Sequence, residues 1–274
     1  MPARDLPVDA GWTLAPVAVL SLLAYLGIYV ARWRRVRAHD GPRGAPVGRL
    51  VLFTGGILAI AVAIISPVDR ISEQLASMHM VQHLLLADVA GILLVLGLTK
   101  TILRPVTRRI QWLERKAGPF GHPVFGLIAY VGAMWLWHVP ALYDAALEHP
   151  LVHVLEHLCF AGAGFLYWWH LLSPIRSRMR LGGMGPILYM ATTKVLVGFL
   201  GILLAFSPDR LYDAYGSDAV SRWGLSPLDD QHVAGALMGI EQSLVMGAFL
   251  AVLFYRMLAE SEREDQRAER YENA

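Results

Sequence analysis

The stretch LASMHMVQHLLLADVAGILLVLG, residues 75–97, decides the fold and points to a site at the same time. Most of it is apolar, and a helix that crosses a bilayer needs about 20 largely apolar residues. Its first half carries His79 and His83, and residues four apart lie on one face of a helix. The stretch therefore predicts a membrane helix that presents two imidazoles together near one of its ends.

The rest of the chain repeats this apolar pattern. The protein is 55% hydrophobic and 17% charged, whereas a soluble domain carries about 25% charged residues. Seven apolar stretches are long enough to span, at 12–31, 49–66, 75–97, 123–138, 151–172, 186–206 and 231–257. Residues 1–274 are therefore expected to form a single all-α domain, a polytopic membrane helix bundle with seven transmembrane helices.

The distribution of basic residues predicts how this bundle is oriented. Arginine and lysine concentrate in the connections 31–49, 98–122 and 173–185 and in the charged tail, 259–274. The positive-inside rule assigns such connections to the cytoplasm, which predicts an outside N-terminus and a cytoplasmic C-terminus in a bacterial cell (inner) membrane. Basic clusters beside spans contact the headgroups of the lipid bilayer, so no nucleic-acid partner is expected.

In this topology most of the ten histidines fall at the outer ends of the spans. They are His79 and His83 on the third span, His138 on the fourth, His149, His153 and His157 on the fifth, and His232 on the seventh. Imidazole in an apolar setting is costly unless it has a partner. The gathering predicts one outward-facing pocket, and the alternative is a set of interfacial histidines that anchor helix ends.

The donor types favour a metal ion in that pocket. Neutral imidazole suits copper, zinc, iron and nickel, and thioether sulfur suits Cu(I). The candidate ligands are His79, His83, His138, His153, His157 and His232. Further ligands or orienting groups would be Met78, Met80, Gln82, His149, Glu156 and Asp230. The sequence thus predicts a metal site, with copper the leading ion, and leaves open whether there is one site or two.

The run HVLEH, 153–157, also matches the H-x-x-E-H motif of zinc proteases. In that motif the two histidines bind zinc and the glutamate acts as the base. The match is short and lies in an apolar helix, so catalysis is not the favoured reading.

Three charged residues are expected near the middle of the bilayer: Asp88, Lys194 and Glu241. Charged groups at that depth are expensive and usually paired. The favoured reading is a structural ion pair of Lys194 with Asp88 or Glu241, and the other reading is a relay for protons or an ion. Gly235 and Gly239 form a small-xxx-small pattern that suits close helix packing.

Three motifs resemble those of the CtaG family of the caa3 type, seven-span bacterial proteins of cytochrome c oxidase assembly. The motifs are MHMVQHLLL at 78–86, WLWHVPALYDAAL at 135–147 and HVLEHLCFAGAGFLYWWHLL at 153–172. The resemblance covers about 50–255 and implies a role in oxidase maturation, through copper supply to a metal centre. It carries over to His79, His83, His138, His153 and His157, and less distinctively to His232.

The leading hypothesis is therefore a non-enzymatic assembly factor that holds copper at the outer membrane face and passes it to an oxidase subunit. One alternative is a haem-binding membrane electron carrier, which an absorbance spectrum would reveal. A second alternative is an ion or metal transporter with Asp88, Lys194 and Glu241 as its relay.

Overall fold

The computed structural model describes residues 9–175, 181–216, 221 and 223–272, and within these ranges the regular structure is helical, with no strand. The all-α prediction is confirmed. The basic residues at 176–180 lie outside the described part of the chain.

The first two apolar stretches form an antiparallel pair. Helix α1, Pro16–Gly44, extends beyond the apolar stretch 12–31 and includes the arginine-rich segment that follows it. Helix α2, Val47–Ile65, follows, and the short helix α3, Pro67–Ser72, begins at a proline. Tyr29 of α1 stacks on Phe53 of α2 with ring centroids 3.7 Å apart and donates a hydrogen bond to the Gly97 carbonyl over 2.7 Å.

The third span is one continuous helix whose middle is π-helical. It consists of α4, Ala76–Leu84, a π-helical segment, Leu85–Val89, and α5, Ala90–Gly97. The π segment carries Asp88, which is fully buried. A π segment inside an α-helix often marks a functional region, and no feature of the sequence had predicted this one.

The fourth predicted span, 123–138, is a short helix. After α6, Lys100–Leu103, the amphipathic helix α7, Thr107–Ala117, carries no buried residue. Helix α8, Pro123–Trp137, has 15 residues. At 1.5 Å per residue such a helix is about 22 Å long, less than the hydrocarbon thickness of about 30 Å.

The remaining helices begin at or next to prolines, which suit the first turn of a helix. They are α9, Pro140–Glu148, α10, Pro150–Leu172, α11, Gly185–Ala205, and α12, Pro227–Glu241. A second π segment, Gln242–Met246, joins α12 to α13, Gly247–Glu272. Most of the charged tail is thus a helical continuation of the last span.

Six helices are long and apolar enough to cross a bilayer: Pro16–Gly44, Val47–Ile65, Ala76–Gly97, Pro150–Leu172, Gly185–Ala205 and Pro227–Ala259. The count rises to seven if Thr107–Gly121 and Pro123–Trp137, which meet at a 64° bend, form one span. The predicted seven therefore depend on how this bent pair is counted.

Glycines let two pairs of helices approach to backbone contact. A Cβ on Gly164 of α10 would lie 2.1 Å from the Ala87 carbonyl oxygen in the first π segment. A Cβ on Gly235 of α12 would lie 2.4 Å from the Ala205 nitrogen of α11. A Cβ on Gly239 would meet no described atom within 4 Å. Gly235 is thus the member of the glycine pair at which an added Cβ would meet the backbone of α11.

Candidate metal centre

Two helices bring four metal-ligating side chains together at one end of the bundle. His79 and His83 project from α4, and Glu156 and His157 project from α10. One ligand atom from each of the four lies within 4.8 Å of the others. We call these four residues the ligand set. Gly164 of α10 lies against Ala87 of the third span. The ligand set lies in the same interface between the two helices, about two turns of α10 before Gly164.

Glu156 lies between the two histidines of α4. Its Oε2 atom is 3.3 Å from His79 Nε2, and its Oε1 atom is 3.4 Å from His83 Nε2. These three side chains are fully buried. None of the four atoms has a hydrogen-bond partner within the described residues, so the atoms converge without the geometry of a hydrogen bond.

This arrangement fits a bound cation. A buried carboxylate without hydrogen bonds carries a large desolvation penalty, and native proteins rarely leave such groups unsatisfied. Both ring nitrogens of His79 and of His83, and Nε2 of His157, also lack partners among the described groups. One metal ion at the centre would satisfy the carboxylate and three imidazoles together, because ligands of one ion lie about 2.0–2.2 Å from it.

Two further histidines flank the ligand set. The His138 ring lies 6.4 Å from that of His83, and the His153 ring lies 4.2 Å from that of His157 and 5.3 Å from that of His79. His138 Nδ1 is 2.6 Å from the Met134 carbonyl oxygen. Because a carbonyl only accepts, Nδ1 carries the proton and Nε2 keeps a lone pair for a metal.

Aromatic rings from α9, α10 and the loop after α11 pack around the set. The ring of Tyr143 lies 5.0 Å from that of His79 and stacks on Tyr212 at 3.8 Å. The Tyr143 and Tyr215 hydroxyls are 3.2 Å apart. Phe160 stacks on His83 at 4.0 Å. Sequence reasoning missed these rings, since the tyrosines come from separate loops and helices with no shared spacing.

The structure buries the site more deeply than the sequence suggested. Helix ends were expected to leave the histidines accessible, yet His79 and His83 are fully buried and His138 is 5% exposed. The short helix α9 supplies Tyr143, and the loop after α11 supplies Tyr212 and Tyr215, to cover the end of the bundle. His153 and His157 remain partly exposed, along the α10 edge.

Two predicted histidines have other surroundings. His232 Nε2 is 2.9 Å from the Ser207 carbonyl oxygen, so this ring ties α12 to the end of α11. His149 precedes α10 as its exposed N-cap residue. Neither has a described ring contact with the other histidines, in contrast to His138 and His153.

The predicted orienting groups hold helices in place. Gln82 donates to the Ala63 carbonyl over 2.8 Å and to Asp69 Oδ1 over 2.9 Å, which joins α4 to α2 and α3. Asp230 accepts from the Ala76 backbone N–H over 2.6 Å and so caps the start of α4 from another helix.

The two methionines beside His79 pack in the apolar core. Met80 is 1% exposed, and Met78 packs against the same core cluster. Side chains on either side of His79 point to different helix faces, so they are placed for packing with neighbouring helices.

Lys194 is in none of the described ion pairs, so the expected pairing with Asp88 or Glu241 stays a prediction. Lys194 Nζ donates to the Gln242 carbonyl over 3.1 Å and to Ser243 Oγ over 3.4 Å. The ammonium group reaches the backbone of the second π segment, which lies nearer than either carboxylate. The described ion pairs are elsewhere.

Neutral donors stabilise Asp88 in place of a cation. Tyr130 donates its hydroxyl to Asp88 at 2.6 and 2.8 Å from the two carboxylate oxygens, and Trp168 Nε1 donates over 2.9 Å. Glu241 accepts from Gln242 Nε2 over 2.8 Å. The bonds from Tyr130 and Trp168 to Asp88 tie α8 and α10 to the first π segment.

Comparison with known proteins identifies a family. The profile described as cytochrome c oxidase caa3 assembly factor (Caa3_CtaG) matches residues 27–260. An uncharacterized protein of Mycobacterium leprae is 25% identical over 257 residues, which cover 88% of this chain and 38% of the relative. Uncharacterized proteins of Mycobacterium bovis and Mycobacterium tuberculosis are 25% identical over 236 residues, 81% of this chain and 35% of each relative.

The chain spans less than two fifths of the length of these curated relatives. No solved structure matches it.

Proposed function

Because the chain belongs to the Caa3_CtaG family of cytochrome c oxidase caa3 assembly factors, we propose that it binds copper as cargo and supplies it to an oxidase subunit. The ligand set His79, His83, Glu156 and His157 holds the ion. The protein acts as a metal carrier and not as an enzyme. In this proposal the site faces the outside of a bacterial inner membrane, as the distribution of arginines favours.

One observation carries the proposal. Glu156, His79 and His83 are fully buried, the Glu156 oxygens lie 3.3 and 3.4 Å from the Nε2 atoms of the two histidines, and these four atoms have no hydrogen bonds to described groups. A purely structural glutamate–histidine contact would use its donors and acceptors, since buried polar groups in native proteins are hydrogen-bonded. A cation would satisfy the carboxylate and one ring nitrogen of each imidazole at once.

The donor chemistry supports copper among the first-row metals. Imidazole and carboxylate donors bind divalent ions in an order that peaks at Cu²⁺. Three imidazoles with one carboxylate suit Cu²⁺ better than the softer Cu⁺, for which thioether and thiolate donors are preferred. Zinc shares these preferences, and the family description, which names an oxidase, favours copper.

The packing weighs against the haem alternative. Haem with two axial imidazoles requires a flat apolar slot between the rings. The rings of Phe160 and Tyr143 occupy the space beside His83 and His79, at centroid distances of 4.0 and 5.0 Å. A Soret band in the purified protein would reverse this conclusion.

A complementation experiment tests the proposal. A strain without this gene should assemble oxidase with a low copper content and low activity, and the wild-type chain should restore both. His83→Ala should restore little, because it removes one of four ligands. His232→Ala is the matched control, since it removes a histidine at the same end of the bundle and outside the ligand set. Normal oxidase copper in the deletion strain, or full restoration by His83→Ala, would contradict the proposal.

A further inference from the structure

The ligand set is buried, so an ion needs a way in. Tyr143 and Phe160 pack on His79 and His83, and this side of the set is closed. The first two turns of α10 differ, because His153 and His157 are both partly exposed there, whereas Phe160, further along the same helix, is buried. His153 lies in the first turn of α10, three residues after Pro150. His153 therefore lies at the end of the helix bundle and not on the apolar surface along its sides.

His153 lies beside the ligand set, one turn nearer the start of α10 than His157. Its ring lies 4.2 Å from that of His157 and 5.3 Å from that of His79. Its Nε2 atom is buried and has no hydrogen-bond partner among the described groups. It stands outside the four residues whose ligand atoms converge. An imidazole that has an unpartnered nitrogen and lies next to the ligand set, without belonging to it, is suited to bind an ion transiently.

Two carboxylates lie in or next to the short helix α3, at this end of the bundle. Asp69 of α3 is a partly exposed acidic side chain at this end of the bundle. Asp69 also accepts a hydrogen bond from Gln82, which lies between His79 and His83 on α4. Glu73, which follows α3, stands near Asp69 and Asp9. Burial raises the pKa of Glu73, Arg70 opposes the rise, and the two aspartates add to it. Glu73 pairs with Arg70 over 3.5 Å, whereas Asp69 is in none of the described ion pairs, so Asp69 is the carboxylate that can attract a cation here.

We propose that His153 and Asp69 form a loading port through which the copper ion reaches and leaves the buried ligand set. This inference rests on the cargo function proposed above. Asp69 concentrates the cation at the edge, and His153 Nε2 binds it as one water leaves. A nitrogen of the set then replaces His153, and release runs in reverse. Each step exchanges one donor for another, so the oxidation state of the ion does not change.

Loading kinetics with Cu²⁺ alone test the port. Full-length protein in detergent is mixed with Cu²⁺, and quenching of its aromatic fluorescence is followed, because Tyr143 lies 5.0 Å from His79. Excess EDTA then measures release. His153→Ala should slow loading and release several-fold while the number of ions bound at equilibrium stays that of the wild type. His153→Asn serves as a second variant if the alanine form does not fold, and His232→Ala is the control.

Asp69→Asn tests the electrostatic part separately. It should slow loading by up to about tenfold at low salt, and the difference from wild type should shrink as salt screens the field. Asp213→Asn removes the same charge from a carboxylate bonded to Arg210 and should leave loading unchanged.

The outcomes separate the two proposals. A wild-type chain that binds no Cu²⁺ overturns the cargo function and the port together. Wild-type kinetics in His153→Ala, or a loss of bound copper in that variant, overturn the port alone. The second result would make His153 a permanent ligand.

Discussion

At the scale of single residues, the position of Glu156 changes the expected chemistry. The sequence predicted this glutamate as an orienting group, and the structure places its oxygens 3.3 and 3.4 Å from two imidazoles. The histidine pairs were foreseeable, because a spacing of four fixes their common face. The role of Glu156 was not, since the side of α10 that faces α4 depends on how the helices pack.

Glu156→Gln should separate a metal role from a structural one. The amide keeps the shape and removes the charge, so Cu²⁺ affinity should fall by at least about tenfold. Stability without metal should hold or rise, because a buried carboxylate without hydrogen bonds is destabilising. Copper titration and thermal unfolding of the metal-free protein measure the two effects. A large loss of metal-free stability with unchanged affinity would assign Glu156 to the fold.

Copper occupancy should also depend on pH in a definite direction. Protons compete with metal for the same imidazole lone pair, and free imidazole titrates near a pKa of about 6.5. Bound copper should therefore fall as the pH drops from 7 to 5, while circular dichroism shows the helices intact. Constant occupancy across this range would argue against a site built from histidines.

At the scale of elements, composition predicted helices well and their interruptions poorly. The stretch 75–97 reads as one helix, yet its centre is the π segment Leu85–Val89. A π turn adds one residue to a turn without changing hydropathy, so the sequence pattern carries no sign of it. The predicted stretch 123–138 matches helix α8, Pro123–Trp137, but apolarity alone did not show the 64° bend between this helix and Thr107–Gly121.

Gly164→Ala tests whether helix contact positions the ligand set. The new Cβ would meet the Ala87 backbone at 2.1 Å, and backbone atoms cannot move aside as a side chain can. We expect a loss of stability of about 1–3 kcal/mol, the usual range for overpacking, together with weaker copper binding. Thermal unfolding and copper titration measure both.

Gly162→Ala is the matched control on the same helix. A Cβ there meets no described atom within 4 Å, and alanine is the better helix former, so stability should hold or rise slightly. Equal effects of the two substitutions would contradict the argument from close packing.

At the scale of the whole molecule, hydropathy predicted a membrane bundle, and six helices pass the length and apolarity requirement. How these helices surround the ligand set could not be predicted, because it depends on contacts such as that of Gly164 with Ala87. The long relatives place a similar segment in a larger protein. The histidine end and the arginine-rich connections lie at opposite ends of the predicted topology, which makes orientation testable.

Two reporter proteins fused after Glu272 test the orientation of the chain, because one is active only in the cytoplasm and the other only outside it. The positive-inside rule predicts a cytoplasmic C-terminus, so a fluorescent protein that folds in the cytoplasm should fluoresce and a phosphatase that folds outside should stay inactive. The reverse pattern would turn the histidine end toward the cytoplasm and contradict delivery from the outer face.

Metal analysis of the purified chain tests the central claim most directly. After loading with Cu²⁺ and removal of free ions, the wild type and His232→Ala should each retain about one copper ion per chain, as expected for a single set of four donors. The double variant His79→Ala/His83→Ala should retain almost none while keeping its helical spectrum. A wild-type chain without copper, or a double variant with as much copper as the wild type, would contradict the account.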